Sequence, residues 1–159
     1  MNQSTLAVAM HISAITMINA ALDGPPVTVV KLDPPDEEAF VHFAHPVARA
    51  VLSEEEMRRQ ITVAVSGFVA ERLFDPEDQM TAFGSSMDEA RELAQRCADI
   101  TKPSWRSECP GYDRQILVDC MVKACNLINE NRGLIDSLSA ELLRDGELTT
   151  DRLQQILAA

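Results

Sequence analysis

The sequence predicts a mainly α protein of the α+β class, with a small β hairpin or sheet after the first helix. Three observations carry this. An apolar stretch from Leu6 to Leu22 is long enough for a buried helix. A β-branched run, VTVVKL, spans Val27 to Leu32. Two Ser-x-x-Glu patterns, Ser53 to Glu56 and Ser86 to Glu89, stand where helices would begin.

The first helix is expected over 4–21, rich in Ala, Ile and Met, and Asp23-Gly24-Pro25-Pro26 breaks it. The strand 27–32 follows, then a turn at Asp33-Pro34-Pro35-Asp36 and a second short strand from Ala39 to Phe43. Ser53 caps a helix running to Phe74, with Ile61, Val65, Phe68, Val69 and Leu73 on its apolar face. Residues 75–85 read as a polar loop, and the second capping box opens a helix to Ile100. Residues 101–112 hold two prolines, a glycine and the only Trp and Tyr, and read as an irregular connection. A long helical stretch is expected from Asp113 to Arg144, bent near Gly133 and ended by Asp145-Gly146. Thr149 or Thr150 caps a last helix to Leu157.

Composition bounds the function. At 159 residues, 46% hydrophobic and 25% charged, the chain fits one globular domain, 1–159, with apolar material for a core. The formal net charge of -11 repels a phosphate backbone, so a nucleic-acid partner is not expected. Cys97, Cys109, Cys120 and Cys125 form no CxxC pair and read as reduced, partly buried thiols. The first apolar stretch contains His11, Ser13, Thr16 and Asn19 and no basic residue precedes it. It is read as a core helix of a cytoplasmic protein, not as a signal peptide or membrane span.

Singly, the chemistry-bearing residues are ordinary. His11 is a lone histidine on an apolar helix, Gly67 reads as close helix packing, and Asp88 sits where a helix N-terminus favours a carboxylate. Their order says more. A histidine-bearing first helix, a strand pair, a helix carrying SGFVAERL at 66–73, and GSSMD at 84–88 opening another helix together resemble the peptidase domain of FtsH-type ATP-dependent zinc proteases. That family reads GGRAAEEL and GASSDL at the last two places. ACNLINENRGLIDSLSAELL, residues 124–143, looks like its helical hairpin, and 147–156 like its closing element. The resemblance covers nearly the whole chain.

In that family the first helix carries HEAGH, whose histidines bind zinc while the glutamate is general base. By this resemblance His11 keeps the first ligand, Ile12 replaces the glutamate, Ile15 replaces the second histidine, and Asp88 matches the third ligand. A catalytic zinc needs about three protein ligands and an open position, and His11 with Asp88 supplies two. Isoleucine moves no proton, and general acid–base help is worth about 10²–10⁴ in rate. Between the helix of Asp88 and the final helices the family has a long segment, whereas here only the stretch 101–112 remains, and no ATPase module or membrane helix is present in the 159 residues.

The expectation is therefore a catalytically inactive, FtsH-peptidase-like protein that acts by binding a protein or peptide, as a monomer or small homo-oligomer. No cofactor is expected. Zinc enters only through the alternative, a divergent metallopeptidase with ligands relocated to His42 and His45 beside His11 and Asp88. Glu71 is a poor base even then, because it aligns with a structural position. A further alternative is a small helical adaptor unrelated to that family.

Overall fold

A computed structural model describes residues 3–32, 39–43, 52–74 and 84–158, with side chains for 5–32, 52–74 and 87–158. Among the described residues there are seven helices and a small antiparallel sheet. The helices are α1 (Gln3–Ala21), α2 (Glu54–Phe74), α3 (Gly84–Thr101), α4 (Trp105–Glu108), α5 (Tyr112–Glu130), α6 (Arg132–Asp145) and α7 (Thr150–Leu157). The strands are β1 (Val27–Leu32), β2 (Ala39–Phe43) and β3 (Glu147–Thr149), in the order β2-β1-β3.

The first helix is the centre of the molecule. Its apolar residues are not confined to one stripe, so it is buried nearly all round: Val8, Ala9, Ile12, Ala14, Met17 and Ile18 all lie in the core. It touches α2, α5, α6 and both long strands. Buried polar groups on such a helix must find partners. Thr16 donates to its own helix at Ile12 O, 2.8 Å, and Asn19 Nδ2 donates to Pro25 O, 2.8 Å. Asp23, at φ 51°, turns the chain out of α1 towards β1.

The sheet alternates as a one-sided sheet should. Val30 and Leu32 point inward and are buried, with more exposed residues between them. Val30 pairs with Val41 on one side and Leu148 on the other, and the β1–β2 register shifts between Val27 and Val29. β3 lies in the closing segment expected to supply only a helix cap. Gly146, at φ 76°, ends α6 and turns the chain back so that Leu148 pairs beside β1. Leu32 N–H donates to Gly146 O at 2.7 Å, and Thr150 Oγ1 donates to Thr28 O at 2.8 Å. Thr149 is the N-cap residue of α7, but its side chain makes no capping hydrogen bond.

On the other side of α1, helices α2, α3 and α5 pack on one another. The expected cap of α2 is present: Glu56 N–H donates to Ser53 Oγ at 3.2 Å. Ile61, Val65 and Val69 are buried as the periodicity requires, whereas Leu73 is 39% exposed one residue before the helix ends. The next helix starts at Gly84, so Ser86 lies inside it rather than capping it. Residues 101–112 contain the single turn α4, which is clipped to α3. Trp105 Nε1 donates to Asp99 Oδ1 at 2.8 Å, Arg106 pairs with the same carboxylate at 2.5 Å, and the guanidinium lies 4.6 Å from the Trp105 ring centre.

The long C-terminal helical stretch is two helices, with the break at Asn131, two residues before Gly133. Asn131 Nδ2 and N–H both donate to Leu127 O, which ends α5, and α6 starts at the next residue. Across the join Arg132 lies 4.6 Å from the Phe74 ring centre, tying the start of α6 to the end of α2. No helix among the described residues is long and apolar enough to cross a membrane.

Candidate functional site

The residues singled out by the sequence do not share one environment. His11 is 2% exposed, on the face of α1 turned towards α2. Its Nδ1 lies 2.6 Å from Glu71 Oε1, and the Glu71 side chain is itself only 12% exposed. An ionised carboxylate only accepts, so Nδ1 carries the hydrogen in this pair. The site exists because α2 offers glycine one turn before the acid. A Cβ added to Gly67 would fall 2.4 Å from His11 Cε1 and Nε2, so only glycine leaves room for the ring. Gly67 and Glu71, at i and i+4, present one face: the first accepts the imidazole and the second fixes its orientation.

Ile12, at the position the resemblance gives to the general base, is 2% exposed and packed in the core. Ile15, at the position of the second histidine, is half-buried. Ser13, between them, is 0% exposed and its Oγ has no hydrogen-bond partner among the described residues. Asp88 lies near the start of α3 with its side chain 72% exposed, and pairs with Arg91 at 2.7 Å in an i,i+3 contact. His42 stands opposite Val29 in the β1–β2 register, but its side chain lies outside the described residues, as does all of His45.

Among the described residues, no group of three or more His, Cys, Asp or Glu side chains could hold a metal ion. The described residues therefore do not fit a catalytic zinc, which needs about three protein ligands. What the arrangement does is hold an imidazole in one orientation between two helices. Glu71 reads from sequence as a structural position but without its pairing to His11, although a glycine and a carboxylate one turn apart on the helix facing a buried histidine are the visible signal.

The four cysteines are free. Burial pushes the Cys97 and Cys120 thiols up from their ordinary range, so both are protonated, inert core groups. Cys120 Sγ contacts Arg58 O at 3.6 Å, while Cys109 is exposed. No family model matches this chain, and none of the curated proteins matches it.

Proposed function

We propose that the chain is a catalytically inactive, FtsH-peptidase-like protein that works by binding a protein or peptide. One observation carries the reading: the position of the general base holds Ile12, sealed in the core, and the adjacent His11 is tied to Glu71 within the α1–α2 contact. A core isoleucine neither activates water nor protonates a leaving amine. Binding is assigned to the sheet edge. β1 pairs with strands on both sides, whereas β2 is an edge strand of the described sheet, and an edge strand offers backbone groups to an extended peptide. Cytoplasmic location is part of this proposal.

One feature favours the second reading, a divergent zinc peptidase with ligands at His11, Asp88 and His42 or His45. Histidines that hold metals are often oriented by a carboxylate on the other ring nitrogen, as Glu71 orients His11. The two readings separate in one assay: hydrolysis of an unfolded protein substrate with zinc supplied, with and without chelator. The binding reading expects no cleavage. Chelator-sensitive cleavage that disappears in His11→Ala establishes the peptidase instead.

A further inference from the structure

Helix α5 carries two apolar stripes. The inner one, Ile116, Cys120, Ala124 and Ile128, recurs every fourth residue and is buried against the rest of the molecule. The outer one centres on Val118 and Val122, which are 50% and 56% exposed although they stand one turn apart on the same face. Half-buried Met121 and Cys125 border it. Beside Val118 a groove of about 530 Å³ opens between α3 and α5, lined by Ala94, Gln95, Arg114 and Leu117 among others.

The charges flanking this stripe say what covers it. Asp119 and Lys123 are both exposed and lie on one flank of the valines, again one turn apart. Within one copy Asp119 Oδ1 accepts from Gln115 Nε2 at 2.8 Å, and among the described residues no ion pair joins it to Lys123. When two α5 helices lie antiparallel about a two-fold axis at position 120, Val118 of each meets Val122 of the other. In an antiparallel pair equivalent flanks face each other, so Asp119 of each copy lies on the same flank as Lys123 of the other, about 3 Å apart along the axis and within reach of the long lysine side chain. The contact is made twice, with opposite charges both times. A face that complements itself in this way suits an isologous dimer.

We propose that the chain self-associates into a two-fold dimer through the outer face of α5, in the antiparallel register centred on position 120. This inference is independent of the reading of the His11 site. A contact made mainly by one helix from each copy belongs to the transient class, with a dissociation constant on the order of 10 µM or weaker. The net charge of -11 on each copy opposes association at long range. At about 0.15 M salt that repulsion is screened beyond about 8 Å, while the close pairs persist.

The test is sedimentation velocity of the full chain in reducing buffer, from about 5 to about 300 µM, a span chosen to bracket the affinity of a transient interface. The wild type is expected to show a sedimentation coefficient that rises with concentration. Asp119→Lys and Lys123→Asp each bring like charges together across the axis and are expected to weaken association at least about tenfold. An equimolar mixture of the two variants restores it, because the mixed pair has both contacts with opposite signs. Val122→Ser weakens association as well, and circular dichroism confirms that each surface variant folds. A wild type that stays monomeric throughout overturns the proposal. So does a dimer indifferent to these substitutions, or one that both charge variants break and their mixture does not restore.

Discussion

His11, Gly67 and Glu71 make a lock in which each residue requires the other two. The glycine is there for space, since its would-be Cβ meets the imidazole at 2.4 Å. Gly67→Ala therefore destabilises the wild type by about 1–3 kcal/mol through overpacking, despite alanine's better helix propensity. In a His11→Ala background the ring is gone, and the same change is expected to stabilise by up to about 1 kcal/mol. Urea unfolding of the four proteins checks the reversal of sign. Ser13 is a simpler case. Its buried hydroxyl has no partner among the described residues, and removing an unsatisfied polar group relieves a desolvation cost. Ser13→Ala is expected to raise stability by about 1 kcal/mol in the same assay. Much of this lock was legible. His11 stood out as a lone histidine on an apolar helix, and Gly67 read as close packing. Glu71 reads as a structural position and a poor base, but its partner was not legible until the facing helix was known.

At the scale of elements, both the matches and the misses have physical causes. The ends of α1, β1, β2 and α2 followed from strong local signals: the Gly-Pro-Pro break, a β-branched run and the Ser53 cap. The break at Asn131 was placed two residues late because glycine was taken as the weak point, whereas an asparagine side chain competing for Leu127 O does the work. Gly133 lies in open space within α6, and a Cβ there meets nothing within 4 Å. Gly133→Ala is accordingly expected to stabilise by about 0.5–1 kcal/mol, the opposite of Gly67→Ala. β3 was missed because three residues paired to a distant strand carry no period of their own. The α3–α4 clip has a pH signature. Hydrogen bonds from Arg106 and Trp105 hold the Asp99 carboxyl below its ordinary value. A depressed carboxyl contributes stability that is present above its unfolded pKa, about 3.9, and is lost as pH falls through the folded value. Fluorescence of the sole tryptophan, Trp105, should change in that acid window, and Asp99→Asn should abolish the transition.

At the scale of the molecule, the proposed binding role rests on burial. A peptidase needs its histidine at a wet, open surface where a metal, water and substrate meet. Here α1, the helix that carries His11, runs through the middle of the core, with Ile12 sealed and Asp88 turned to solvent on α3. The mainly helical class with a small sheet was readable from periodicity and turn chemistry. Whether its histidine serves a site was not readable, because that depends on what faces it across sixty residues of chain. The most direct test is the metal content of untagged protein, purified without added zinc and measured by mass spectrometry. The proposed binding protein is expected to carry less than about a tenth of an equivalent, since the described residues offer too few ligands for a catalytic zinc. Close to one equivalent of zinc, lost in His11→Ala or Asp88→Ala, would contradict the account and show that the ligands have been rebuilt.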